Sequence, residues 1–164
     1  MPPADDHNDL QRQARAARAG VEPAESRNAG AIPALAGRRI LIAEDVATNQ
    51  VLLKAVLAPT GAEVEIVDDG TALLERYALA PADLILMDLQ MPGMGGIAAL
   101  RRLRAQGGAG RAVPVVALTA YAGSADRKRA LGAGMDAYLA KPIVVSALYD
   151  LLRRFLPEDS GGPE

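Results

Sequence analysis

The sequence predicts an open, doubly wound α/β domain: one sheet of five parallel strands with helices on both faces. Three observations carry that expectation. Short apolar runs of strand length alternate strictly with stretches of helical periodicity from Arg39 to Phe155. Two of the runs, Arg39–Ala43 (RILIA) and Asp83–Met87 (DLILM), are apolar without alternation, as strands covered on both faces are. With no Trp, one Phe and four Tyr, the core must be built from Leu, Ile, Val and Ala, which suits helices on a sheet better than an all-β barrel.

Taken in order, RILIA is the first strand and ends in Glu44-Asp45. A helix follows over Thr48–Ala58, with Leu52, Leu53, Val56 and Leu57 on one stripe and Gly61 as its stop. Glu63–Val67 (EVEIV) is the second strand, Asp68-Asp69-Gly70 a hairpin-like turn without chemistry, and Thr71–Leu79 the second helix. DLILM is the third strand and ends at Asp88, after which Pro92, Gly93, Gly95 and Gly96 make a loop. Ile97, Leu100 and Leu103 mark the third helix, which stops in Gly107-Gly108-Ala109-Gly110. Val113–Leu118 is the fourth strand, ending at Thr119, and Ser124–Leu131 a polar fourth helix. Met135–Leu139 is the fifth strand, followed by Lys141-Pro142. Leu148, Leu151, Leu152 and Phe155 then give the i, i+3, i+4, i+7 face of a last helix. Right-handed crossovers leave few topologies, and the order 2-1-3-4-5 puts the third strand in the middle.

The domain is expected over residues 38–157. Residues 1–37 read as a disordered leader or linker: they are rich in Ala, Arg, Pro, Glu and Gly, and Gln11–Ala19 has helix propensity but no apolar face. Residues 158–164 read as a flexible tail. The absence of cysteine removes disulfides, thiolate metal sites and cysteine nucleophiles, and the lone His7 removes a multi-histidine site. The net charge of −2 comes without a basic run, so direct nucleic-acid binding is not expected. No apolar stretch approaches the roughly 18–20 residues that cross a bilayer, and the N-terminus has no secretory signal. A cytoplasmic protein without membrane contact is the expectation.

The polar residues collect at the strands' C-terminal ends. Glu44-Asp45, Asp88, Thr119 and Lys141 stand at one mouth of the sheet, where open α/β sheets bind ligands. Three adjacent carboxylates repel unless their pKa values rise or a cation sits among them. Oxygen ligands without His or Cys suit Mg²⁺, which keeps several waters and so leaves room for a phosphoryl group. Lys141 would then be a point charge for phosphate oxygens and Thr119 a hydroxyl donor, while a carboxylate can itself be the nucleophile and form an aspartyl-phosphate. Asp88, central and opening a Gly-rich loop, is the first candidate. Each residue alone has a plainer reading: Glu44, Asp45 and Asp88 as caps or solvated strand ends, Thr119 and Lys141 as surface polar groups, Tyr138 as core-edge packing, and Arg127-Lys128-Arg129 as a solvated helix face, with contact to an acidic partner as the alternative.

The stretches Ile40–Asp45 (ILIAED), Met87–Gly96 (MDLQMPGMGG), Val115–Ala120 (VVALTA) and Gly132–Ile143 (GAGMDAYLAKPI), in this order, resemble the response-regulator receiver family, which has the flavodoxin-like fold. Asn49, Gln90-Met91-Pro92 and AYLAKPI are similar in particular to receivers of hybrid histidine kinases and phosphorelays. The resemblance implies a phosphorylation-dependent signalling switch of a two-component system, a phosphoacceptor rather than an enzyme. It takes its phosphoryl group from a phosphohistidine of a sensor histidine kinase or histidine phosphotransfer protein and signals to a downstream protein. It implies Asp88 as phosphoacceptor and Mg²⁺ held by Asp45, Asp88 and the Gln90 backbone carbonyl, with Glu44 acting through water. Thr119 is implied as the switch hydroxyl, Lys141 as the phosphate-binding lysine and Tyr138 as the aromatic that follows the threonine. The N–H groups of Leu89 and Ala120 are expected to point at phosphate oxygens, the Lys141-Pro142 bond to be cis, and Gln90 and Tyr121 to flank the incoming water. The expected output surface is the face of the fourth helix, fifth strand and fifth helix.

Three rival functions fit the sequence less well. A Mg²⁺-dependent phosphatase of the haloacid-dehalogenase kind needs a second Asp two residues after the nucleophile, where this sequence has Gln90. A degenerate, purely constitutive interaction module is disfavoured because all five key residues are present. A flavodoxin-like cofactor binder would set a phosphate cradle after the first strand, where Glu44-Asp45 repels phosphate.

Overall fold

The computed structural model describes residues 31–120 and 123–158, so the leader up to position 30, with His7 and Gln11–Ala19, the tail from 159, and Tyr121 lie outside the described residues. The expected α/β fold is observed. Five strands, β1 Arg39–Ala43, β2 Glu63–Val67, β3 Leu84–Asp88, β4 Val115–Thr119 and β5 Ala137–Ala140, form one parallel sheet in the order β2-β1-β3-β4-β5. The helices between and after them are α1 Ala47–Leu57, α2 Gly70–Leu79, α3 Gly96–Ala105, α4 Ser124–Gly132 and α5 Val145–Phe155.

Strand alternation sorts the core into two layers. Leu41, Ala43, Ile85, Met87, Val115 and Ala117 face α2, α3 and α4, meeting Leu73, Tyr77, Leu100, Leu103 and Ala130. Ile40, Ile42, Leu84, Leu86, Val116 and Leu118 face α1 and α5, meeting Leu53, Leu57, Leu148 and Leu152. Every residue of β3 and β4 is buried, which is why their sequences show no polar alternation. The edge strand β2 is only half-buried and alternates accordingly.

β3 and β5 run over Leu84–Asp88 and Ala137–Ala140 rather than Asp83–Met87 and Met135–Leu139, and three further expectations change. β4 starts at Val115 rather than Val113, because Pro114 has no N–H to give the ladder and contributes only its carbonyl, which accepts from Ile85 N at 2.9 Å. The Asp68–Gly70 segment is not hairpin-like: it joins parallel elements, and Asp69 caps α2 by accepting from Ala72 N at 2.7 Å. The packed unit also takes in residues before Arg38, where a leader was expected. Leu35 is buried against Leu156 and its neighbours, and its N–H donates to Thr60 O at 2.7 Å. Beside it, Ala34 N donates to Glu158 Oε1 at 3.1 Å, and the Arg38 guanidinium donates to the Pro157 carbonyl at 3.3 Å.

Candidate functional site

Parallel strands end together, so the last residues of β1, β3, β4 and β5 deliver their side chains to one rim. Glu44 follows β1 and is fully buried; Asp88 and Thr119 end β3 and β4 and are 4 % and 5 % exposed; Asp45 beside them is exposed. Carboxylate oxygens of Glu44, Asp45 and Asp88 all lie within 4.8 Å of one another. The expected cluster is therefore assembled.

A cation, Lys141, pairs with two of these three acids. Lys141 Nζ lies 2.6 Å from Glu44 Oε2 and 2.9 Å from Asp88 Oδ2. Burial works against its charge, but the hydrogen bonds and fields of Glu44 and Asp88 outweigh that, and the Lys141 pKa is held above its ordinary value. Lys141 is brought here by β5, whose Ala140 pairs with Thr119, and its own N–H donates to Thr119 O at 2.7 Å; the Lys141-Pro142 bond is cis, as expected.

Glu44 is the most engaged of the acids. Its Oε1 accepts from Val46 N at 3.1 Å and from Asn49 Nδ2 at 3.4 Å, while Oε2 meets Lys141. Gln50, one turn into α1, was not singled out by sequence; its amide donates to the Glu44 carbonyl at 2.5 Å and to Asp68 Oδ1 at 2.8 Å. It ties the ends of β1 and β2 together. No sequence signal marks it, because both acceptors reach it only through the tertiary fold.

The loop after Asp88 corrects one expectation. Leu89 N is spent on the sheet, donating to Leu118 O at 3.1 Å, so it does not point at the rim. The N–H aimed at the acid is that of Gln90, which donates to Asp88 Oδ1 at 2.9 Å. α3 then starts unusually close to the strand: a Cβ on Gly96 would sit 2.5 Å from the Asp88 carbonyl oxygen, so glycine is what permits the approach. Gln90 and Thr119, with Leu89, Ile97, Asp126 and Arg129, line a small cleft of about 110 Å³ beside the acids. Tyr138 lies next to Ala117, two residues before Thr119 on the same sheet face; it is partly buried, and Arg127 sits over its ring at 5.0 Å. The basic trio Arg127-Lys128-Arg129 is exposed throughout, as a solvated helix face is.

The donor set fits a hard divalent ion. Asp45 is open to solvent, Asp88 presents a second carboxylate, and Glu44, with both oxygens already engaged by protein groups, stands behind them. Oxygen-only ligands with no His or Cys exclude a soft or structural zinc arrangement.

Comparison with known proteins gives a consistent result. Residues 40–153 match the family model of the response regulator receiver domain. The signal transduction histidine-protein kinase BarA of Escherichia coli is 41% identical over 121 residues, which cover 72% of this chain and 13% of that protein. The chain thus spans a small part of the curated relatives it matches. A solved receiver domain of a Pseudomonas aeruginosa sensor histidine kinase, with a magnesium ion coordinated in its active site cleft, is 41% identical with a TM-score of 0.68, covering 73% of this chain and 98% of that one. A Saccharomyces cerevisiae receiver domain, solved with its histidine phosphotransfer protein, is 28% identical with a TM-score of 0.67, covering 76% and 90%. Sheet order, rim and sequence agree, and the chain belongs to the response regulator receiver domain family.

Proposed function

We propose that this chain is a phosphorylation switch in which Asp88 takes a phosphoryl group from a phosphohistidine and the added charge changes the surface offered to a partner. The observation that carries the reading is the imbalance at the rim: three carboxylates gather within 4.8 Å, and the ammonium of Lys141 pairs with two of them, Glu44 and Asp88. Asp45, Asp88 and the Gln90 carbonyl would hold Mg²⁺, with Glu44 acting through water, and the ion supplies charge neutralisation for the phosphoryl oxygens.

The chain's own groups do the rest. A carboxylate oxygen of Asp88 attacks phosphorus as the phosphorus–nitrogen bond to the donor imidazole breaks, leaving an acyl phosphate on the chain and a free histidine on the donor. Lys141, already at Asp88, follows the new charge and pairs with phosphoryl oxygens. The N–H of Gln90 stays directed at the aspartyl group. Gln90 has no acid or base to offer two residues after the nucleophile, which suits a stored acyl phosphate better than a phosphatase turnover. The donor would be a sensor kinase or histidine phosphotransfer protein, seated on the apolar collar of Val46, Val51, Leu52, Val144 and Val145, all exposed. In response, the Thr119 hydroxyl turns toward the phosphoryl group and Tyr138 moves into the space it vacates, shedding Arg127. The cytoplasm, where such donors present their histidines, is the compartment this reading requires.

The test is intact-mass measurement of the full chain after incubation with a small phosphodonor and Mg²⁺. One hydroxylamine-labile phosphoryl group is expected, absent in Asp88→Asn and absent under chelation. Undiminished labelling of Asp88→Asn would sink the assignment.

A further inference from the structure

A second concave feature lies outside the acid rim. Between α3 and α4 runs an open groove of about 520 Å³, with Ile97, Ala98 and Arg101 on one wall and Lys128, Arg129 and Gly132 on the other. Its three cations face it from two helices on a chain whose net charge is −2, so the positive potential is local. Among the described residues the one carboxylate recorded near them is Asp126, 3.8 Å from Arg129 on the same helix, and no ion pair engages Arg101 or Lys128. The floor is small and apolar, and Leu131 on α4 is exposed alongside. Among the described residues no aromatic ring lines the groove, so none of them offers a nucleobase a surface to stack on.

We propose that this groove docks an acidic segment of a protein partner, its carboxylates meeting Arg101, Lys128 and Arg129 and its aliphatic side chains lying on Ile97, Ala98 and Gly132. Charge complementarity and the mixed lining together select this occupant over a free nucleotide. α4 is suited to adjust around it, since among its described side chains only Ala130 is buried in the core. The groove shares Ile97 and Arg129 with the cleft at Gln90 and Thr119, which makes it continuous with the acid rim.

The test is a nitrogen-15 NMR titration of the full chain with a short amphipathic peptide of Glu and Leu, with its Lys-for-Glu counterpart and ATP as controls. Saturable shifts are expected at Ile97, Ala98, Arg101, Lys128 and Gly132 with the acidic peptide alone. Affinity should fall about tenfold or more in the double variant R101E/K128E and decline with added salt. Both positions are exposed and outside the acid site, so phosphodonor labelling of Asp88, run in parallel, should be unchanged and reports separately on that site. Shifts confined to another face, equal binding by the charge-reversed variant, or tighter occupancy by ATP would overturn the proposal.

Discussion

The two edges of the sheet hold similar residues in opposite states of balance. At the edge where strands begin, each acid has its match. Asp83 accepts from Arg39 N at 2.8 Å, Asp136 from Val115 N at 2.8 Å and Arg104 at 3.1 Å, and Glu63 pairs with Arg39 at 2.6 Å; further along β2, Glu65 pairs with both Arg39 and Arg76. At the edge where strands end, three acids crowd together and Lys141 pairs with only two of them, Glu44 and Asp88. Charge alone therefore does not mark a functional site. What marks it is the crowding of like charges, two of the three acids being buried and all three lying within 4.8 Å of one another.

Five substitutions can break or sharpen that contrast, the largest effect first. Lys141→Met strips the cation from buried Glu44 and should cost about 3 kcal/mol in urea unfolding without Mg²⁺. Saturating Mg²⁺ should return part of that loss, because it binds the folded rim alone. A variant insensitive to Mg²⁺ would mean the rim does not hold the ion.

Gly96→Ala drives a Cβ against the Asp88 carbonyl oxygen. It should cost about 2 kcal/mol and slow phosphodonor labelling, whereas Gly93, with nothing near its Cβ position, should show only the strain of its positive φ. Equal labelling by wild type and Gly96→Ala would show that the α3 approach does not hold Asp88 in place.

The same change, Asp→Asn, should have opposite signs at the two edges in Mg²⁺-free unfolding. Asp136→Asn removes the charge that answers Arg104 and should destabilise by about 1 kcal/mol. Asp88→Asn relieves repulsion with Glu44 and should stabilise by about 1 kcal/mol. Matching signs would undo the contrast between the edges.

The smallest effect concerns pH. The hydrogen bond from Arg76, opposed by burial and aided by Arg39, holds the Glu65 carboxyl below its ordinary value of 4.5. Its folded-state pKa thus lies under the unfolded one, so its contribution is whole above about pH 4.5 and fades as pH falls through the folded value. Glu65→Gln should flatten the acid limb of stability by under about 1 kcal/mol and leave neutral pH nearly unchanged. A limb as steep as that of wild type would assign the acid sensitivity elsewhere.

Much of this was legible in the sequence, for identifiable reasons. RILIA and EVEIV gave β1 and β2 to the residue because hydrophobic runs bounded by charge leave little choice of register. The rim followed from topology, since parallel strands must deliver their last residues to one edge. What escaped depends on contacts between distant segments. Leu35 looks like part of a linker until Thr60 accepts its N–H. Gln50 looks like any helix glutamine until Glu44 and Asp68 converge on it. The direction of the Leu89 N–H was misjudged because the ladder with β4 continues one residue further than the side-chain pattern reveals.

The meeting of Ala34 with Glu158, and of Arg38 with Pro157, places both ends of the packed unit at one pole, with Asp88 at the other. The chain therefore leaves the packed unit, in both directions, at the pole away from Asp88. A reporter protein fused on either side should leave donor access intact, and the unit should tolerate grafting into a surface loop of a host.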